Sequence, residues 1–210
     1  MTVRMRPPGW ALLVAGLGLL VFGVVRASPI VVFWAGVPLA LLGRGWLHSA
    51  TVRGEFLQFA GERYYVIHHV DRIPPFFISV VSDDDHWLFL SSSGGLTAGR
   101  VSPQNALFPY VTVDKLHESA GHTGSRTLLR VHTAGADVLW EPFDPEHAGA
   151  PALTRNLYKN TLGNKVCFEE INHDLGLTFR QQWMSSREYG FVRHCELENL
   201  GSTERRIELL

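Results

Sequence analysis

The stretch that decides the fold is Lys165-Val166-Cys167-Phe168-Glu169-Glu170-Ile171, continued by Leu177-Thr178-Phe179-Arg180-Gln181-Gln182-Trp183-Met184 and by Phe191-Val192-Arg193-His194-Cys195-Glu196-Leu197-Glu198. Short runs rich in aromatic and β-branched residues, alternating in polarity, predict β-strands. The breaks between them, Asn172-His173-Asp174-Leu175-Gly176 and Ser185-Ser186-Arg187-Glu188-Tyr189-Gly190, carry residues that tolerate turn dihedrals. Asn199-Leu200-Gly201-Ser202-Thr203 then leads to a last strand over Arg205–Leu210. Strands joined by turns this short must run antiparallel, which predicts a meander.

The same pattern extends upstream. Phe76–Ser82 and His86–Ser91 read as two strands joined by the acidic turn Asp83-Asp84-Asp85, and further strands are expected at Thr127–His132 and Val138–Trp140. Helical periodicity is nearly absent after Gly54. The expected fold class is therefore all-β, an antiparallel β-sandwich over residues 51–210.

Residues 1–50 obey a different solvent. Between Gly9 and Gly43 the single charge is Arg26, and no acidic residue occurs before Glu55. Gly9–Val25 is a run of about 17 apolar residues, the lower limit for a membrane span, and Ile30–Gly43 forms a second, shorter one that Trp46 and Leu47 extend. A transmembrane two-helix hairpin is expected, contacting lipid through residues 9–47. Arg4 and Arg6 before it and Arg44 and Arg53 after it put both ends on the cytoplasmic side of a bacterial-type inner membrane. A cleaved signal peptide is the competing explanation, with Ala27 as a weak processing site, but cleavage leaves the second run unexplained.

With 19 basic and 20 acidic residues and a net charge of −1, the chain has no footprint for nucleic acid. The two cysteines, Cys167 and Cys195, lack metal-type spacing and read as free, buried thiols. The ten histidines are scattered, and the adjacent pair His68 and His69 cannot both face one ion from a regular strand. Asp83, Asp84, Asp85 and His86 form the densest cluster of potential metal ligands, but it lacks the glycine of a calcium loop and reads as a solvated turn, with a cation or sugar-hydroxyl contact as the alternative. Glu169 and Glu170 are successive, so a strand sends one inward and leaves the other solvated, unlike the facing carboxyls of glycosidic catalysis. No nucleophile elbow, phosphate loop or zinc-helix motif occurs, so neither a cofactor nor a metal is expected.

One segment is unusually small and polar: Ser91-Ser92-Ser93-Gly94-Gly95-Leu96-Thr97-Ala98-Gly99-Arg100. As a loop it brings backbone amides and hydroxyls close to a ligand, with Arg100 able to fork onto an anion or a sugar hydroxyl. The plain alternative is a connecting loop.

Pro74-Pro75-Phe76-Phe77-Ile78-Ser79, the double-glycine loop after Asp85-His86-Trp87-Leu88-Phe89-Leu90, Arg100, and Leu139-Trp140-Glu141-Pro142-Phe143 together resemble the opening of cellobiose and chitobiose phosphorylases and related cyclic-glucan-synthesising enzymes. Phe191–Leu200 followed by Arg205–Leu209 is similar to a strand pair of their N-terminal sandwich. The likeness covers roughly residues 54–210, and Leu96-Thr97-Ala98-Gly99 departs from the aromatic residues expected after the glycines.

The resemblance implies a sandwich that precedes a helical barrel carrying the acid catalyst. It implies an oligosaccharide or glycan as partner, Ser92, Gly94, Gly95 and Arg100 near the substrate, and a homodimer formed through the sandwiches. Residues 51–210 contain no such barrel pattern, so the expectation is a sandwich incomplete at its C-terminus and inactive alone. The alternative function is a membrane-tethered, non-catalytic module that binds a glycan or a protein.

Overall fold

The computed structural model describes residues 51–124 and 126–210. The membrane hairpin expected over residues 9–47 lies outside them. Among the described residues no helix is long and apolar enough to cross a membrane.

The regular structure of the described chain is dominated by antiparallel sheet. Six strands form the largest sheet: β1 (Arg53–Phe59), β2 (Glu62–His68), β9 (Leu153–Asn160), β10 (Lys165–Asn172), β11 (Leu177–Ser186) and β12 (Gly190–Asn199), hydrogen-bonded in that order. A four-stranded sheet follows chain order through β3 (Phe77–Val80), β4 (His86–Ser91), β5 (Leu96–Arg100) and β6 (Ala106–Phe108). A three-stranded sheet places β7 (Leu129–Val131) between β13 (Ile207–Leu209) and β8 (Val138–Trp140). The single α-helix among the described residues, α1 (Val113–Glu118), is short. Of the meander expected from residue 165 onward the first three strands are present, with Phe168 opposite Gln181 and Gln181 opposite Cys195. The last is cut to Ile207–Leu209 and leaves this sheet to pair with β7, because the segment after Asn199 carries it away from β12.

Alternation along the six-stranded sheet sends Leu157, Val166, Phe168, Leu177, Phe179 and Trp183 to one face. Both small sheets contribute to that face's core. Ile78, Val80, Leu88, Leu90, Leu96 and Ala98 of the four-stranded sheet cluster with Leu157, Val166, Phe168 and Trp183. Leu129, Val131 and Trp140 of the three-stranded sheet cluster with Leu175, Leu177 and Phe179. Phe143 packs against both clusters.

The other face carries Tyr64, Val66, Tyr158, Cys167, Glu169, Arg180 and Gln182. Strands lie about 4.8 Å apart, so Phe59 on β1 and Arg180 on β11, four strands away, would be separated by about 19 Å in a flat sheet. The Arg180 guanidinium instead sits 5.9 Å from the Phe59 ring, and Gln182 donates to Tyr64 Oη at 2.9 Å across three strand spacings. The sheet therefore curls toward this face.

The curl on one face, and the segments packed on the other, change the fate of the two adjacent glutamates. The sequence leads one to expect a single solvated carboxylate, yet Glu169 is 4% and Glu170 0% exposed. They do point to opposite faces, but both faces are covered. Each carboxylate is held by several donors. Glu169 takes Asn156 Nδ2, Tyr158 Oη and Arg180 Nε at 2.7–2.8 Å. Glu170 takes Trp140 Nε1, the Phe143 amide and Arg155 Nε over the same range. Burial, then the Glu169 charge, pushes the Tyr158 hydroxyl far above the usual tyrosine range, so it remains a donor.

The thiols also differ from expectation: both are free, but Cys195 is exposed and only Cys167 is buried. They lie on opposite faces and two strands apart, about 10 Å, beyond the reach of a disulfide. Burial, then the charge of Glu169, raises the Cys167 thiol to about 12. At pH 8 a thiol-specific chromogenic disulfide is expected to titrate one cysteine in the native chain and two in urea. Two fast native thiols would contradict the burial of Cys167.

Candidate functional site

The segment 91–100 is only partly a loop. Ser91 closes β4, the turn takes four residues, and Leu96–Arg100 is strand β5, with Phe89 opposite Thr97 and Trp87 opposite Gly99. Glycine is required at position 99 because a Cβ there would lie 2.3 Å from the Trp87 ring. The Trp87 ring thus excludes an aromatic residue at position 99 of this strand.

At the hairpin tip the polar groups are already engaged. Ser92 Oγ accepts the Phe76 amide at 3.0 Å, and Ser91 Oγ bonds both Ser93 Oγ at 2.7 Å and His117 Nδ1 at 2.8 Å. The Leu96 amide donates to Thr123 Oγ1 at 2.9 Å. Gly95 lets the end of α1 pack directly on the turn, since a Cβ there would sit 2.1 Å from the Leu116 carbonyl oxygen. Gly94 has φ +102° and open space around it.

These two glycines give separable expectations. Gly95→Ala forces backbone apart and is expected to cost about 1–3 kcal/mol in urea unfolding. Gly94→Ala meets no atom and is expected to cost about 1 kcal/mol through backbone strain alone. Equal losses for the two would contradict the packing of α1 on Gly95.

Arg100 is not at the tip. It faces His86 across the other end of the β4–β5 hairpin, about 13 Å along the strand from Leu96. Beyond it Val101 adopts φ +61°, a conformation uncommon for a β-branched residue, and its amide bonds Asp85 O at 2.7 Å.

This end of the hairpin opens on a cleft of about 580 Å³, closed on the far side by the β11–β12 turn. Its lining comprises His86, Arg100, Asn105, Ala106 and Leu107 together with the run from Arg187 to Phe191. The acidic turn anchors the arrangement, because Arg187 donates from Nε to Asp84 and from Nη2 to Asp83, each at 3.0 Å. With Arg187 74% and Asp83 83% exposed, such pairs contribute little stability and act mainly to hold the guanidinium in place.

His86 is 7% exposed and packs edge-on against Phe191 with ring centroids 5.0 Å apart. Its Nδ1 is buried without a hydrogen-bond partner. Arg100, in contrast, is exposed, and among the described residues its guanidinium makes no hydrogen bond or ion pair. Of the four residues singled out in the sequence, the structure thus groups Ser92, Gly94 and Gly95 at the tip and sets Arg100 apart in the cleft. Sequence reasoning noted His86 only as a neighbour of the acidic turn and missed its meeting with the Arg187–Phe191 turn, since the two come together only through the packing of two hairpins about a hundred residues apart.

No family model matches this chain, and no curated protein is significantly similar to it. Among the described residues no group of three or more His, Cys, Asp or Glu side chains is placed to hold a metal ion.

Proposed function

We propose that residues 51–210 are a β-sandwich that recognises glycan and performs no chemistry of its own, the N-terminal part of a carbohydrate-active enzyme of the glycoside phosphorylase or hydrolase type. The catalytic acid and its partner lie on sequence other than residues 51–210, and the apolar segment 9–47 tethers the domain to a membrane. The observation that carries the non-catalytic part is the fate of the interior carboxylates. Glu169 and Glu170 are each saturated by three donors that include an arginine, so neither is free to give or take a proton from a substrate.

Support for the sandwich comes from the shared cores of the small sheets with one face of the large one. Support for glycan comes from the resemblance of the aromatic strand, the double-glycine turn and the Trp140–Phe143 element. The deciding experiment incubates the purified chain with β-linked gluco-oligosaccharides, with and without phosphate, and also passes it over a glycan array. Binding without turnover is expected. Robust phosphorolysis or hydrolysis would overturn the non-catalytic reading, and failure of the folded chain to bind any glycan would overturn the carbohydrate reading.

A further inference from the structure

We infer that the cleft between the Arg100 end of the β4–β5 hairpin and the β11–β12 turn holds one pyranose unit of a neutral glycan. Arg100 and His86 bind its hydroxyls, and Tyr189 covers a face of the ring. This inference rests on the glycan reading above but assigns a place that the double-glycine turn does not, since the groups at that turn are spent on one another.

Three observations converge on the cleft. Its volume, about 580 Å³, falls in the range of roughly 300–1,000 Å³ typical of small-molecule sites. Within it His86 is more than nine-tenths buried, and its Nδ1 is sealed in the protein without a partner. Its Nε2 makes no hydrogen bond among the described residues and lies on the side of the β11–β12 turn, 3.8 Å from where a Cβ at Gly190 would be, so it is the nitrogen that a hydroxyl group can meet as donor or acceptor. Arg100, a fork of donors with no partner among the described residues, stands at the same opening.

Charge decides the class of ligand. Arg187, the other guanidinium of the cleft, is already bound by Asp83 and Asp84, and Glu188 adds a third carboxylate to the neighbourhood. Carboxylates therefore outnumber guanidiniums, which disfavours phosphate or another free anion. A mixture of donors and acceptors matches hydroxyl groups, each of which is both. Tyr189 is 75% exposed on the turn, an amphipathic ring with a free face and a polar end.

The test titrates the full chain with cellotetraose and with chitotetraose, the other β-linked probe, by calorimetry. The variants are Arg100→Ala, Tyr189→Ala and His86→Phe, the last keeping a ring against Phe191 while removing both nitrogens. Leu162→Ala, at an exposed turn outside the cleft, serves as the surface control. Arg100 and Tyr189 are exposed, so their removal leaves the core intact, and each loss is expected to weaken glycan binding about tenfold or more. Glycan bound equally well by all variants would overturn the cleft assignment and leave the glycan reading standing. No glycan bound by the folded wild-type chain would overturn both. Displacement of bound glycan by millimolar inorganic phosphate would show an anion site and overturn the neutral-sugar assignment.

Discussion

Glu170→Ala is expected to remove about 3–5 kcal/mol of folding stability, the usual consequence of leaving one member of a buried ion pair without its partner. Arg155, 8% exposed, would keep its charge and lose the carboxylate that accepts its Nε at 2.7 Å, retaining only the Asp144 carbonyl on Nη2. Two neutral donors would be stranded as well: the Trp140 indole on β8 and the Phe143 amide. Phe143 has φ +66° and packs against the cores of both small sheets, so Glu170 fastens the junction where the three sheets meet.

A small domain holds only about 5–15 kcal/mol in total, so this loss is expected to move the urea midpoint by about a fifth of its value or more. A companion variant separates charge from hydrogen bonding. Arg155→Leu with Glu170→Leu removes both charges and is expected to recover part of the loss, because apolar replacements of buried pairs are often tolerated. Recovery stays incomplete because Trp140 Nε1 and the Phe143 amide still lack an acceptor, at about 1–3 kcal/mol each. A loss below about 1 kcal/mol for Glu170→Ala would contradict the buried pair.

The parts of this fold that are legible in the sequence are those whose interior is apolar. Phe168, Phe179 and Trp183 announce β10 and β11 by alternation, and the turns at Asn172–Gly176 and Ser185–Gly190 bound them. β9 does not announce itself, because Leu153-Thr154-Arg155-Asn156-Leu157-Tyr158-Lys159-Asn160 looks polar. Its Arg155 and Asn156 are buried only because Glu170 and Glu169 on β10 receive them, a pairing visible once the register is known. The β1–β2 hairpin hides for another reason: its turn places Ala60 as well as Gly61 at positive φ, where Asn-Gly or Asp-Gly gives the usual signal. The cleft was least legible, since Asp84 and Arg187 advertise no contact until two separate hairpins pack.

Arg180→Ala is expected to have the second-largest effect, about 2–4 kcal/mol, and to act on the curled face. Its Nε bonds Glu169 at 2.7 Å and its Nη1 bonds Glu198 at 2.8 Å, while Glu196 lies at 3.7 Å. Burial alone would lower its pKa, but the hydrogen bonds and charges of Glu169 and Glu198 outweigh that and hold it above the usual arginine value. Removing the guanidinium leaves Glu169 with the neutral donors of Asn156 and Tyr158 and takes away the contact that draws Phe59 across the sheet. The cost falls below that of a fully buried pair because the Arg180 side chain is 19% exposed, so water takes up part of the deficit. Glu198→Gln, by comparison, touches a carboxylate that is 46% exposed and is expected to cost less than about 1 kcal/mol, a loss that salt would screen. Cys167 reports where the damage lies. It shares the curled face with Arg180, so its thiol is expected to label faster in Arg180→Ala than in an equally destabilised variant of the opposite face such as Leu177→Ala. Equal labelling in the two would mean that Arg180 contributes only to global stability, and that the curl is held by the apolar contacts of Phe59, Tyr64 and Tyr158 alone.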